Sequence, residues 1–107
     1  MRLYNTLTKN QENLQPLQAG KVGMYVCGPT VYASPHIGNA RSVVIYDLLY
    51  RVLSSKYKVT YVRNITDVDD KINAAALASG EDIRTITTGT TKAYHEDMRA
   101  LNALPPT

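Results

Sequence analysis

The stretch VGMYVCGPTVYASPHIGNARSVVIYDLLYRVL, residues 22–53, decides the fold. Its first six residues form a short apolar run that ends at GPT (residues 28–30), which predicts a buried strand entering a loop. We expect the loop to reach about Asn39. From Ala40 to about Ser55 the period changes, and a one-face helical spacing links six apolar residues: Val44, Ile45, Leu48, Leu49, Val52 and Leu53.

A second strand is predicted at residues 58–65, KVTYVRNI, because the segment is rich in β-branched side chains. Strand, loop, helix and strand make a βαβ unit, whose strands should be parallel with a right-handed crossover. The predicted fold class is therefore α/β, with the first βαβ half of a Rossmann-like nucleotide-binding sheet. Two core strands do not complete an open sheet, so we expect residues 1–107 to be the N-terminal, incomplete part of such a domain.

The segments on either side of this unit predict a hairpin and helices. Residues 3–7 alternate, and the polar stretch 9–13 separates them from Leu14 and Leu17, which predicts an N-terminal hairpin or paired edge strands. From about residue 67 to 107 we predict a helical segment, with one helix ending at Gly80 and another starting near residues 81–82. Threonines and a glycine lower the helix propensity in the middle of the second helix, at residues 85–91.

Composition points to one small globular domain. The chain has 107 residues, is 44% hydrophobic and carries a formal charge of +3, which is weak for a dedicated nucleic-acid arm. Residues 1–63 hold eight Lys and Arg against two acids, and residues 64–107 hold four against seven. The basic first half suits phosphate binding, although an ordinary solvated surface explains it more simply.

Cys27 is the one cysteine, which excludes an internal disulfide and indicates a reducing, cytoplasmic location. No apolar run approaches the roughly 20 residues that span a bilayer, and no signal sequence is recognisable. We expect no membrane association.

The loop between the first core strand and the helix is the best candidate for chemistry, because ligands of open α/β sheets bind at this edge. Gly38 would let the backbone approach a phosphate closely. His36 and Asn39 could donate hydrogen bonds to phosphate oxygens at the helix N-terminus, where the macrodipole favours negative charge. Taken alone, the four residues HIGN are more simply a turn with a capping Asn. The proline-rich segment before them, the glycine and the position between strand and helix favour the phosphate site.

Three ordered motifs of the chain strongly resemble cysteinyl-tRNA synthetases, of class I: MYVCGPTVY (24–32), HIGNAR (36–41) and YVRNITDVDDKI (61–72). The resemblance runs from about residue 2 to residue 106. It implies ATP-dependent activation of cysteine to cysteinyl-adenylate and transfer to tRNA(Cys), with ATP, Mg²⁺, L-cysteine and tRNA as partners of a monomeric enzyme.

The resemblance also implies roles for individual residues in the ATP site. It places His36 and Asn39 on the ATP phosphates as catalytic groups, with Pro29, Thr30 and Gly38 also binding ATP. Asn39 stands where many class I synthetases have a second His, so this position can donate a hydrogen bond but carries no charge.

Cys27 alone would be taken for a small core residue at the end of a strand. The resemblance implies instead that it is one of four ligands to a zinc ion, which would prefer the substrate's thiolate to a serine hydroxyl. Gly28 and Thr66 would line the cysteine pocket, although Thr66 could also be the N-cap of a helix beginning at Asp67. The aspartates at 67, 69 and 70 are more simply helix-start acids than a metal site.

The chain departs from the resemblance in what it lacks. Cys27, His36 and His95 have no metal-like spacing, so we expect these residues alone to bind zinc weakly or not at all, and His95 suits a surface position. The Lys-Met-Ser-Lys-Ser loop of the family is absent, and we expect no catalysis without it. Two alternatives remain open here: a cysteine ligase of mycothiol synthesis, and a non-catalytic nucleotide- or RNA-binding module.

Overall fold

The computed structural model describes all of residues 1–107. Its elements in chain order are β1 (Arg2–Asn5), β2 (Asn10–Asn13), β3 (Lys21–Val26), α1 (Ile37–Ser54), β4 (Lys58–Arg63), α2 (Asp70–Ser79) and α3 (Ile83–Ala100). They form two separate two-stranded sheets, β1 with β2 and β3 with β4. No helix is both long and apolar enough to cross a membrane.

The central unit is the parallel pair β3 and β4, in a register that runs from Lys21 opposite Lys58 to Val26 opposite Arg63. Helix α1 connects the two strands along the chain, which confirms the predicted βαβ unit. Side chains of both strands and of α1 form the larger core cluster, namely Met24, Val26, Leu53 and Tyr61. The two strand ends at Val26 and Arg63 therefore lie side by side.

The sheet is fully covered on one face only. Tyr25 and Val62, which are opposite each other in the register, are 68% and 49% exposed. Parallel sheets are normally covered on both faces. The segment 14–18 borders a cleft with Gly23 and Thr60 of this face, and the carboxyl end of the face, at Tyr25 and Val62, is left exposed.

Helix α1 exists as predicted, but its buried face differs from the predicted one. Of the six apolar residues that predicted it, Leu53 alone is fully buried, and Val44, Ile45 and Leu48 are each more than 40% exposed. The other two buried positions of the helix are Val43 and Asp47, which were not among the six. The apolar spacing identified a helix correctly because it has the helical period, but it did not tell which neighbours this chain provides.

Helix α3 is continuous through the stretch 85–91, where helix propensity is low. The hydroxyl of Thr90 donates to the carbonyl oxygens of Ile86, at 2.8 Å, and of Val31, at 2.6 Å. The second contact fastens the helix to the loop after β3. Tertiary contacts of this kind override intrinsic propensity, so the low propensity of residues 85–91 does not interrupt the helix.

Two further segments follow the sequence closely. Strands β1 and β2 form the predicted hairpin, although the second strand is the polar segment Asn10–Asn13 itself and not the segment around Leu14 and Leu17. Lys9 adopts a left-handed φ of 56° in the turn. Helix α2 ends at Gly80, whose φ of 71° provides a left-handed C-cap.

Candidate functional site

The strand ends of β3 and β4 are joined at Gly28. Its N–H donates to the side-chain oxygen of Asn64 at 2.7 Å, and a Cβ at this position would lie 1.6 Å from the Asn64 carbonyl oxygen. Only glycine allows this approach. Beyond it the two segments stay paired, because the N–H of Val31 donates to the carbonyl of Thr66 and the N–H of Thr66 to that of Pro29, each at 3.0 Å.

Cys27 and the N-terminus of α1 face the same cleft. This first cleft has a volume of about 140 Å³ and is lined by Val26, Cys27, Gly28, Pro29, Gly38, Asn39, Ser42, Val43 and Tyr94. Cys27 is exposed, and its sulfur has one weak contact, 3.8 Å from the carbonyl oxygen of Gly28. A thiol and the start of a helix thus share one small space.

His36 lines a second cleft, of about 260 Å³, next to the first. Both clefts are lined by Gly28, Pro29, Asn39 and Tyr94. Thr30 and Lys71 also line the second cleft. The two clefts are therefore neighbouring parts of one depression at the carboxyl edge of the sheet.

The N-terminus of α1 differs from the sequence expectation, which had the helix start at Ala40. The helix starts at Ile37 and is capped by His36, whose Nδ1 accepts from the N–H of Gly38 at 3.1 Å. The side-chain oxygen of Asn39 accepts from the N–H of His36 at 3.0 Å. These reciprocal bonds form a capping box, so a histidine takes the cap that the sequence suggested for Asn39.

This cap decides which atoms remain free for a ligand. An accepting Nδ1 leaves the proton of neutral His36 on Nε2, and neither that nitrogen nor the amide nitrogen of Asn39 has a hydrogen-bond partner in the chain. A Cβ on Gly38 would lie 2.9 Å from the imidazole Cε1, so the glycine gives the ring its room. Two donors are therefore left at the positive end of a helix.

Thr66 is not a helix cap. Helix α2 is capped by Asp69, whose side chain accepts from the N–H of Ile72 at 2.9 Å. The helix begins after Thr66 because Thr66 is still paired with Pro29 and Val31. The hydroxyl of Thr66 accepts from the amide of Asn64 at 3.3 Å. Thr66 lies at the edge of the depression but lines neither cleft.

Tyr94 was not singled out from the sequence as a site residue. It is 1% exposed, and its hydroxyl is buried without a hydrogen-bond partner. Burial raises its pKa, against a lowering by the positive charge of Arg63, whose guanidinium carbon lies 5.6 Å from the ring centroid. Tyr94 and Met98 are four residues apart on one buried face of α3, and no sequence signal showed that this face borders the clefts.

The metal-ligating residues do not come together. No group of three or more His, Cys, Asp or Glu side chains in residues 1–107 could hold a metal ion. His95 is exposed and lines a separate cleft with Asp67. This cleft shares no lining residue with the cleft that contains Cys27. Cys27 is thus a single potential ligand.

Comparison with known proteins gives one consistent family. The model of the class I (C) tRNA synthetase catalytic domain matches residues 13–107. Cysteine--tRNA ligase of Paramagnetospirillum magneticum is 62% identical over 97% of this chain and 23% of its own length. The same-named proteins of Wolbachia pipientis wMel and Rhodospirillum rubrum are each 59% identical, over 100% and 99% of this chain.

The chain spans about a quarter of the length of these relatives, 23% or 24%. Within that span the α/β architecture, the parallel strand pair and the loop before α1 form part of a Rossmann-like fold. The matched model and these relatives cover nearly the whole of residues 1–107. The chain belongs to the catalytic-domain family of the class I cysteinyl-tRNA synthetases.

Proposed function

We propose that this chain supplies the first part of an active site that joins cysteine to ATP as cysteinyl-adenylate and then transfers it to tRNA(Cys). The observation that carries the proposal is the shared depression, in which the thiol of Cys27 and the start of α1 border one cleft. A thiol and an anion-binding helix end are what recognition of cysteine and of a nucleotide would need.

The nucleotide half of the site rests on the capping box of α1. Attack of a carboxylate on the α-phosphate of ATP builds negative charge on phosphate oxygens, and preorganised donors stabilise that charge. His36 offers its Nε2 proton and Asn39 its amide protons, both at the positive end of the helix. Pro29 and Thr30 would contact the nucleotide from the second cleft, and Gly38 would let it approach the helix. The nucleotide would enter as its Mg²⁺ complex.

The amino-acid half would use Cys27, with Gly28 beside it and Thr66 at the edge. A zinc ion bound to Cys27 would select a substrate thiolate over a hydroxyl. The exposed thiol fits one position of a tetrahedral site, and no other Cys, His, Asp or Glu lines its cleft, so we propose that the further ligands come from other parts of the protein. A single reduced cysteine also suits a cytoplasmic enzyme, and we propose that it acts as a monomer.

The test is pyrophosphate exchange by the full-length protein. We expect exchange that depends on cysteine, and a Cys27→Ser variant that loses most of it while keeping its thermal melting temperature, because the residue is exposed. Residues 1–107 alone should show no exchange. A matched control is Ser54→Ala, at the exposed end of α1. Exchange driven by a different amino acid, or unchanged by Cys27→Ser, would refute the proposal.

A further inference from the structure

The second cleft contains a cation that no role described so far uses. Lys71, near the start of α2, lines this cleft together with His36 and Asn39. None of the cleft's twelve lining residues is acidic. We propose that Lys71 is a phosphate-binding residue of this site, whose ammonium group contacts the phosphates of ATP across the cleft from the start of α1.

The ammonium group of Lys71 is free to bind an anion. The chain's two ion pairs are Arg51 with Asp47 and Lys92 with Glu96, so no carboxylate lies within ion-pairing distance of Lys71. Its nitrogen lies 5.3 Å from the centroid of the Tyr32 ring. Such a contact at an exposed site is weak, and it holds the side chain over the cleft without neutralising its charge.

The cleft needs this charge. Neutral His36 and the amide of Asn39 provide donors and no formal charge, and the helix end adds a partial one. A nucleoside triphosphate brings several negative charges into the cleft. Lys71 is the one lysine or arginine among the lining residues, so it is the one permanent positive side chain available to them.

The acids near Lys71 in sequence do not oppose this role. The carboxylate of Asp69 is committed to the N–H of Ile72 as the helix cap. Asp67 and Asp70 are exposed, and neither lines the second cleft. The anion would therefore meet the lysine without a competing carboxylate in the cleft itself.

This inference rests on the proposed function, and its test compares Lys71→Gln, Lys71→Arg and Lys92→Gln in the full-length protein. Lys92 is an exposed lysine of α3 that does not line the second cleft, so it is the matched control. Loss of one charge-assisted contact should raise the KM for ATP in cysteine-dependent exchange about tenfold or more in Lys71→Gln. Lys71→Arg should recover most of the loss, Lys92→Gln should match the wild type, and the KM for cysteine should stay within about twofold.

Two measurements separate the possible failures. If the wild type exchanges with cysteine but Lys71→Gln keeps its ATP KM, the inference is wrong and the proposed function stands. If the KM for tRNA rises in aminoacylation and the ATP KM does not, Lys71 contacts a phosphate of tRNA, and the assignment to ATP is overturned. If the wild type shows no exchange, the proposed function fails, and calorimetric titration of ATP against wild type and Lys71→Gln still decides whether Lys71 binds it.

Discussion

Replacing Gly28 with alanine should disrupt the junction of the two strand ends. The added Cβ would lie 1.6 Å from the carbonyl oxygen of Asn64, 2.8 Å from its carbonyl carbon and 3.1 Å from the Cγ of Arg63. The two closest atoms belong to backbone, so no flexible side chain can move aside. An ordinary contact begins at about 3.4 Å, so the two segments must separate by about 1.8 Å (3.4 less 1.6) to clear the carbonyl oxygen.

The expected loss follows from what that separation breaks. The hydrogen bond from the Gly28 N–H to Asn64 is lost, and the two bonds that pair Thr66 with Pro29 and Val31 are strained. Overpacking a tightly packed position costs about 1–3 kcal/mol, and each hydrogen bond contributes about 1 kcal/mol net. We therefore expect the free energy of unfolding to fall by about 3 kcal/mol.

The assay is urea unfolding of the chain followed by far-UV circular dichroism, with amide hydrogen exchange as the local measure. Gly23→Ala is the control, because a Cβ on Gly23 in β3 would meet no atom within 4 Å. Its unfolding free energy should change by less than about 0.5 kcal/mol. In Gly28→Ala the amides of Val31 and Thr66 should exchange faster. Equal stability of the two variants would refute the close approach at Gly28.

Two other substitutions test buried polar groups. Tyr94→Phe should stabilise the fold by about 1 kcal/mol, because it removes a hydroxyl with no partner. Burial raises the pKa of Tyr94 in the folded state, so ionisation of the tyrosine in the unfolded chain lowers the stability of the wild type as the pH rises above about 10. Tyr94→Phe lacks this ionisation, so its free energy of unfolding in urea titrations should fall less in alkali. Asp47→Ala should cost about 2–3 kcal/mol, because its carboxylate accepts from Arg51 and from the N–H of Leu104, each within 2.9 Å. Thermal melts against the exposed Asp97→Ala would check it, and a loss no larger than the control's would contradict it.

The fold could be predicted from the sequence as far as local periodicity reaches. The change from an apolar run to a helical spacing identified β3 and α1, and Gly80 identified the end of α2. The middle of α3 could not be identified in this way, because its threonines are satisfied by contacts that include Val31, 59 residues earlier in the chain. Periodicity is a local property, and the contacts that decide such a stretch are not.

The candidate site divides along the same line. Cys27 and His36 stood out because their motifs are consecutive in sequence and lie between a strand and a helix. Asn64 and Lys71 lie in the third motif, YVRNITDVDDKI, and Tyr94 lies in none of the three, and no site role was predicted for any of them. Asn64 contacts Gly28, and Tyr94 and Lys71 line the clefts, because β4 ends beside β3 and the helices after it fold back over the loop.

The two hypotheses for HIGN, a capped turn or a phosphate site, turn out to be compatible. The cap uses Nδ1 of His36 and the side-chain oxygen of Asn39, which are acceptors. A phosphate needs donors, and those are the atoms the cap leaves free. Because an accepting Nδ1 fixes the neutral ring's proton on Nε2, forming the cap also sets the tautomer that a phosphate would require. The capped turn, which is the simpler interpretation of HIGN from the sequence, therefore leaves free the donors that a phosphate site would use.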